Sequence, residues 1–103
     1  MPVMRPDDYT LVSRLKAGDP SAFKLLFETH GRKIYHYAFR LLRDDSLCKD
    51  IVQDTFLHFW QHRDALEDDR SVVPYLYVSA RRTIIDHWRK AATSKAFLDQ
   101  LFH

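Results

Sequence analysis

The stretch DIVQDTF, residues 50–56, divides between two faces of a helix. Its apolar members recur at intervals of three and four residues, and its polar members fall on the opposite side. The same spacing extends in both directions and predicts a helix from about Asp45 or Ser46 to Arg63. The residues expected to be buried on it are Cys48, Val52, Thr55, Phe56 and Phe59, with Leu47 and Ile51 flanking them.

Helical spacing also governs the chain before this segment. The sequence has only two glycines and no strand-like alternation of any length, so the predicted class is all-α, a compact bundle of three to four helices. A first helix should run from about Asp7 or Asp8 to Ala17 and end at Gly18. A second should open at Asp19-Pro20, with a bend or a close crossing at Gly31. Its apolar positions are Phe23, Leu26, Phe27, His30, Ile34, Tyr37, Ala38 and Leu41.

The last third of the chain predicts a polar loop, residues 64–72, and then a fourth helix. This helix should start between Ser71 and Pro74 and fade near Ala92. Its expected apolar face is Val73, Leu76, Tyr77, Ala80, Ile84 and Trp88. We therefore expect a flexible N-terminus (1–6), one helical domain (7–92) and the start of a linker (93–103), in which Phe97, Leu98, Leu101 and Phe102 add a helical turn or two.

Composition restricts the setting and the partners. A chain of 103 residues that is 46% hydrophobic can bury one modest core without cross-links. The lone Cys48 cannot form an intramolecular disulfide, and no apolar run approaches the roughly 20 residues that span a membrane, so a cytoplasmic setting is expected. The net charge is only +2, so any contact with nucleic acid requires basic residues gathered on one face.

The polar side of the third helix is a candidate protein-binding face. Asp50, Gln53, Asp54 and Leu57 lie at offsets of zero, three, four and seven. Carboxylates and an amide around an exposed leucine suit a partner helix that carries arginines. Spacing alone leaves open the alternative of an ordinary solvated face.

The fourth helix carries a candidate nucleic-acid face. Tyr75, Ser79, Arg82, Asp86 and Arg89 share one side, predicted to face away from the core, with Arg81, Ile85 and Lys90 beside it. Cations can neutralise phosphates, while aromatic rings and guanidinium planes can stack on bases. The alternative is a basic solvated helix in which Asp86 pairs with Arg82 or Arg89. The other aromatic residues considered, Trp60, Trp88, Tyr35 and Tyr37, are assigned mostly to core packing.

The sequence contains no catalytic pattern. His58 and His62 have the spacing of a two-histidine metal site, but no third ligand accompanies them, and a surface pair is the better interpretation. A glycine-rich phosphate loop and a nucleophile with its base are both missing. We therefore expect no enzymatic activity, no cofactor, no metal and no small-molecule substrate.

Three segments together resemble a known family. DIVQDTF followed by FWQHR closely resembles the core-polymerase-binding segment of sigma factors of the extracytoplasmic-function (ECF) group. LVSRLKAGDPSAFKLLFETHGRKIYHYAFRLLRD resembles the first two helices of that group, and PYLYVSARRTIIDHWRK resembles its promoter-binding helix. The matches follow the same order over residues 8–90, so the chain is identified as similar to the N-terminal region 2 domain of these proteins.

The resemblance implies partners for both faces. Asp50, Gln53, Asp54 and Leu57 would meet the coiled coil of the largest subunit of core RNA polymerase. Tyr75, Ser79, Arg81, Arg82, Asp86, Arg89 and Lys90, with the loop 64–72, would hold the non-template strand of the minus-10 promoter element. It also implies an anti-sigma factor that covers these surfaces, and a C-terminal helix-turn-helix domain beyond this sequence.

Two departures from the family pattern affect the promoter-binding helix and its loop. The loop 64–72 is acidic, and Arg82 stands where the family usually has asparagine. A carboxylate repels phosphate, and arginine donates hydrogen bonds without accepting them, so the base that is recognised can differ. These departures leave open a second possibility, a sigma-like interaction module that binds polymerase or an anti-sigma partner without recognising promoter DNA.

Overall fold

The computed structural model describes residues 6–66 and 72–102, and within these ranges the chain is helical and has no strands. The helices are α1 (Pro6–Lys16), α2 (Pro20–Leu42), α3 (Asp45–Gln61) and α4 (Val72–Leu101), with a short 3-10 turn at Arg63–Ala65. The prediction of an all-α bundle is confirmed. Most of the predicted flexible N-terminus lies outside the described residues, and its last member, Pro6, begins α1.

The junction of α1 and α2 is formed by a few local hydrogen bonds. Gly18 has a φ of +81°, and the N–H of Asp19 donates to the carbonyl of Arg14 at 3.0 Å, a glycine-terminated helix end. The Asp19 side chain accepts from the Ser21 N–H at 2.9 Å and from Arg14 Nε at 2.8 Å. The hydrogen bond from Arg14 is the main reason that the pKa of Asp19 lies below its usual value. One carboxylate therefore begins α2 and ties it to α1.

The junction of α2 and α3 is equally short. Arg43 adopts the left-handed conformation, with a φ of 55°, and its N–H donates to the carbonyl of Phe39 at 2.9 Å. Asp44 then caps α3 by accepting from the Leu47 N–H at 2.9 Å. Because only two residues separate the helices, α2 and α3 form an antiparallel helical hairpin.

Helix α3 is the centre of the bundle and packs against both α2 and α4. All five residues predicted to be buried on it are buried, and Ile51, expected only to flank them, is buried as well. The remaining core comes from the other elements: Val12, Leu15, Ala22, Leu26, Ile34, Ala38, Leu66, Val72, Leu76, Ala80 and Ile84.

Three predicted core residues are not in the core. Phe27 and Leu41 of α2 are 45% and 47% exposed, and Trp88 of α4 is 47% exposed. Helix α2 carries more apolar residues than its contacts with the neighbouring helices can cover. On α4, no residue after Ile84 is buried within the described part of the chain, so Trp88 lies past the end of the core.

The predicted loop and the predicted end of α4 also need correction. Helix α3 ends at Gln61 rather than Arg63, a 3-10 turn follows, and Leu66 and Val72 are buried at 6% and 3% exposure. These two apolar side chains fix both ends of the segment to the core, while residues 67–71 lie outside the described part. Helix α4 passes the predicted end at Ala92 and continues to Leu101, since no proline or glycine interrupts it. No described helix has a segment long and apolar enough to cross a membrane.

Substitution of the two glycines by alanine should change the free energy of unfolding in opposite directions. Gly31 lies inside α2, where an added Cβ would meet only the Phe27 ring at 3.7 Å, an ordinary contact. Gly31→Ala should therefore raise the free energy of unfolding by up to about 1 kcal/mol, measured by urea denaturation. Gly18→Ala, the matched control, should lower it by about 1 kcal/mol because of the positive φ. Destabilisation by Gly31→Ala would contradict this account of α2.

Candidate functional site

The predicted protein-binding face is exposed as expected. Asp50, Gln53, Asp54 and Leu57 are all exposed on α3, and we refer to them as the α3 acidic face. Leu57 is 51% exposed, whereas Phe56 beside it is 2% exposed. Of these two neighbours, Phe56 packs in the core and Leu57 is open to a partner. The placement agrees with the sequence, and the binding of a partner there stays a prediction.

A groove that the sequence did not predict adjoins this face. It lies between α2 and α3, has a volume of about 1020 Å³, and is called here the α2–α3 groove. Gln53 and Leu57 belong both to it and to the α3 acidic face. The other lining residues are Pro20, Phe23, Phe27, Glu28, Gly31, Arg32, Tyr35, Lys49, Val52, Phe56 and Trp60.

Aromatic rings form the walls of the groove. Phe27 meets Phe56 edge-on at 5.0 Å between ring centroids, and Phe23 meets Trp60 in the same way at 5.0 Å. The guanidinium carbon of Arg63 lies 4.3 Å from the centre of the Trp60 ring, and Arg63 Nη1 donates to the Trp60 carbonyl at 2.9 Å. Gly31 contributes no side chain, which deepens the groove at that point. The result is an open apolar surface with fixed walls.

A polar network closes one end of the groove. The Tyr35 hydroxyl donates to the carboxylate of Asp45, and Lys49 Nζ lies 3.1 Å from the same carboxylate. Hydrogen bonding to Asp45 is the main cause that raises the pKa of Tyr35 to about 12. Hydrogen bonds from Tyr35 and then Lys49 lower the pKa of Asp45. The signal that could have revealed this groove is the spacing of Phe23, Phe27, Gly31 and Tyr35, four residues apart along α2.

The predicted nucleic-acid face of α4 is only partly exposed. Arg81, Arg82, Asp86, Arg89 and Lys90 are exposed, and they are named the α4 basic face. Ser79 is 5% exposed, and the half-buried Tyr75 packs edge-on against Phe59 with 5.5 Å between ring centroids. The prediction that these two residues face away from the core is wrong, because α4 packs against both α2 and α3 and buries a wider arc than a single stripe. Among the described residues no ion pair joins Asp86 to Arg82 or Arg89, so the alternative of internal pairing gains no support.

Two histidines form a contact at the C-terminal end of α3, His58 within the helix and His62 at its C-cap. The His58 and His62 rings stack with 4.1 Å between centroids, and His62 Nδ1 donates to the His58 carbonyl at 2.9 Å. Burial is the first cause that lowers the pKa of His58, followed by His62 and Arg82, while Asp86 acts in the opposite direction. Within the described residues no group of three or more metal-ligating side chains occurs. The pair is therefore a stacked histidine contact at the C-terminal end of α3.

This contact predicts a stability that falls in mild acid. Because the pKa of His58 is lower in the folded state than the ordinary 6.5, the unfolded state binds more protons as pH drops below 6.5. The stability due to neutral His58 is thus complete above that value and is lost as pH falls through the folded-state pKa. Urea denaturation at several pH values should show this loss in the wild type, a weaker loss in His62→Gln, and the weakest in His58→Gln. Equal pH dependence in the wild type and His58→Gln would refute the assignment.

Comparison with known families matches the chain to one of them. The family described as Sigma-70 region 2 matches residues 26–93, which include most of α2, all of α3 and the part of α4 that carries the α4 basic face. Both candidate faces lie inside the matched range.

Curated proteins give related matches. The chain is 35% identical over 81 residues to the ECF RNA polymerase sigma factor SigL of Mycobacterium tuberculosis, covering 78% of this chain and 46% of that protein. It is 36% identical over 70 residues to the RNA polymerase sigma factor NccH of Alcaligenes xylosoxydans, covering 68% of this chain and 38% of that protein. The identity to the ECF RNA polymerase sigma factor SigX of Bacillus subtilis is 27% over 71 residues, covering 69% of this chain and 37% of that protein. The chain thus spans about half the length, or less, of these relatives.

A solved structure shares the fold. It is the NMR structure of an engineered region 2 of sigmaE in complex with GTAAAA, with a TM-score of 0.76 and 25% sequence identity. The similarity covers 86% of this chain and 95% of that chain. The resemblance seen in the sequence is therefore confirmed by sequence and by structure.

Proposed function

Because the chain belongs to the Sigma-70 region 2 family, we propose that it is the domain of an alternative sigma factor that docks on core RNA polymerase and holds the opened minus-10 promoter element. The observation that carries the proposal is the family match over residues 26–93, which spans both candidate faces in one continuous segment. The domain acts in the cytoplasm and performs no chemistry of its own. Its binding energy favours strand opening, and RNA synthesis belongs to the polymerase.

The α3 acidic face is the proposed polymerase contact. Asp50 and Asp54 offer carboxylates that can accept paired hydrogen bonds from arginine, and Gln53 can both donate and accept. Leu57 provides the apolar contact, since half of its side chain is exposed. The partner that fits this chemistry is a helix with arginines and an apolar residue, as in the coiled coil of the largest polymerase subunit.

The α4 basic face is the proposed promoter contact. Arg81, Arg82, Arg89 and Lys90 are exposed and can neutralise phosphates of a single strand, while guanidinium planes can stack on bases. The structural neighbour was solved in complex with GTAAAA, which supports a nucleic-acid ligand for this chain too. With Ser79 buried and Tyr75 half-buried, the phosphate contacts of the four basic residues contribute most of the binding.

The packing of α3 against α4 connects the two contacts. Phe59 of α3 and Tyr75 of α4 meet edge-on in the core, so the two helices keep a fixed relation to each other. A polymerase bound to the outer side of α3 would therefore place α4 at a defined position on the clamp. Pre-positioning of this kind reduces the ordering cost of strand capture.

Base preference and regulation are further parts of the proposal. Arg82 is exposed and can donate to acceptor atoms such as the O6 and N7 of guanine, whereas an asparagine can serve adenine. We expect the preferred strand to differ from GTAAAA at the base nearest Arg82. An anti-sigma factor that covers both faces is the proposed inhibitor.

A second candidate function is a polymerase-binding module without promoter recognition. The burial of Ser79 favours it. The sequence resemblance adds that Arg82 stands where an asparagine is expected. The two functions differ in DNA binding alone. An interaction module should bind polymerase and show no affinity for single strands.

Charge reversal on α3 tests the polymerase contact. Asp54→Arg should abolish measurable binding to core polymerase in a pull-down or by fluorescence anisotropy, because it sets a cation against the arginines of the partner. Asp54 is exposed, so circular dichroism and the urea midpoint should be unchanged. Asp64→Arg is the matched control, since Asp64 is an exposed aspartate on the 3-10 turn and lies outside the α3 acidic face. Wild-type affinity in Asp54→Arg would disprove the docking assignment.

Removal of one cation from α4 tests the promoter contact. Arg89→Ala should weaken binding to a single-stranded oligonucleotide containing GTAAAA several-fold and lower the slope of log K against log salt by about 0.7, as for one lost phosphate contact. Binding to core polymerase should stay unchanged. Arg40→Ala, on the exposed side of α2, serves as the matched control. If the wild type binds polymerase but no single strand of any sequence, the second candidate function replaces the first.

A further inference from the structure

Two apolar surfaces of this chain have nothing packed on them within the described residues. One is the α2–α3 groove. The other comprises the end of α4 and the residue after it, residues 91–102. We call it the α4 tail, and its described side chains are all exposed. On it Leu98, Leu101 and Phe102 lie at offsets of zero, three and four, and they are 51%, 62% and 83% exposed. Contiguous apolar surfaces of this kind usually mark interaction sites.

The α4 tail extends beyond the bundle as a continuous helix. The last buried residue of α4 in the described range is Ile84, and the helix runs on to Leu101 without a break. At 1.5 Å per residue, 30 residues of α4 measure about 45 Å, which is most of the 59 Å length of the described molecule. The described side chains of the tail are all exposed, so the tail does not pack in the groove of its own copy.

We propose that the α4 tail of one copy docks in the α2–α3 groove of a second copy. The groove offers Phe23, Phe27 and Trp60 as an apolar bed. The tail offers three apolar side chains at helical spacing, the pattern of a helix that lies in a groove. Reciprocal exchange of tails closes as a two-fold symmetric dimer and covers both surfaces of both copies.

The charges beside the two surfaces fix the orientation of the tail. On α2, Lys24 and Glu28 are one turn apart and form an ion pair at 4.0 Å, and Glu28 lines the groove. On the tail, Lys95 and Asp99 are also one turn apart. When the tail lies antiparallel to α2, Lys95 meets Glu28 and Asp99 meets Lys24, so both pairs are attractive. A parallel tail would set like charges against each other at both positions.

Docking of the tail would compete with docking of polymerase. Gln53 and Leu57 belong both to the groove and to the α3 acidic face, so one surface cannot hold both occupants. This consequence rests on the proposed function. Self-association would then reduce the binding of the domain to polymerase at high protein concentration. Polymerase, in turn, would shift the equilibrium from dimer to monomer.

Sedimentation velocity of the 103-residue chain over a wide concentration range tests the association itself, without polymerase. The wild type should form a dimer as the concentration rises, and Phe102→Glu should weaken it by at least about tenfold because a charge replaces the most exposed apolar anchor. Phe27→Ala, in the groove, should weaken it to a similar degree. Leu41→Glu is the matched control, because Leu41 lies on α2 and is about as exposed as Phe27 but does not line the groove.

A charge exchange separates this arrangement from other contacts. Glu28→Lys alone and Lys95→Glu alone should each weaken the dimer, and the two together should restore most of it, because the attractive pair is rebuilt with its signs exchanged. All these side chains are exposed, and the urea midpoint of each variant checks that the fold is kept. A monomer at every concentration would overturn the proposal. So would a dimer that responds to Lys95→Glu and not to Glu28→Lys, since that result identifies pairing of tail with tail.

Competition with polymerase is a separate measurement. Addition of core polymerase to the wild type should reduce the dimer fraction if the proposed docking face is correct. A dimer that passes the charge exchange but does not compete would leave the self-association in place and contradict the polymerase contact on α3. The failure of one proposal is thus distinguishable from the failure of the other.

Discussion

The burial of α3 between α2 and α4 is the constraint on which the rest of the molecule depends. Phe56 is directed toward α2 and meets Phe27, whereas Phe59 is directed toward α4 and meets Tyr75. Truncation of a buried aromatic residue of this kind typically costs about 3 to 5 kcal/mol, a large part of the stability of a small domain. With two sides of α3 committed to packing, only its outer side is free for a partner. The α3 acidic face is thus a consequence of how the core is built.

The short connections make this arrangement specific. Two residues join α2 to α3, so the groove between these helices follows from an antiparallel hairpin whose ends are fixed by Arg43 and Asp44. At the other end, the carboxylate of Asp19 both begins α2 and holds Arg14. The aromatic walls of the groove therefore stand on helices whose ends are defined by side-chain caps. Because the connections on both sides of α2 are short, the groove keeps its shape although it is open to solvent.

Local signals allowed the start of α2, the start of α3 and the buried side of α3 to be predicted from the sequence. Helix spacing identifies which residues share a side, but it does not state how much of that side the neighbours cover. Phe27 was assigned to the core and is half exposed because α2 carries more apolar residues than its neighbours can bury, and Ser79 was assigned to solvent and is buried because α4 has two neighbours. Both errors arise from tertiary contacts between distant parts of the chain.

The candidate sites also differ in whether they depend on one helix or on contacts between helices. The α3 acidic face needed only the period of one helix, so all four residues were placed correctly on the exposed side. The groove needed two helices at a known separation, and the four-residue spacing of Phe23, Phe27, Gly31 and Tyr35 marks only its α2 side. The same physical limit explains why apolar residues near the end of α4 were assigned to a linker: the pattern of Leu98, Leu101 and Phe102 indicates a helix face, but no part of the sequence says what would cover it. Removal of an apolar helix face from water lowers its free energy, so contact with another apolar surface would stabilise it. The groove beside Phe27 offers such a surface, with an apolar lining and the flanking charges of Lys24 and Glu28.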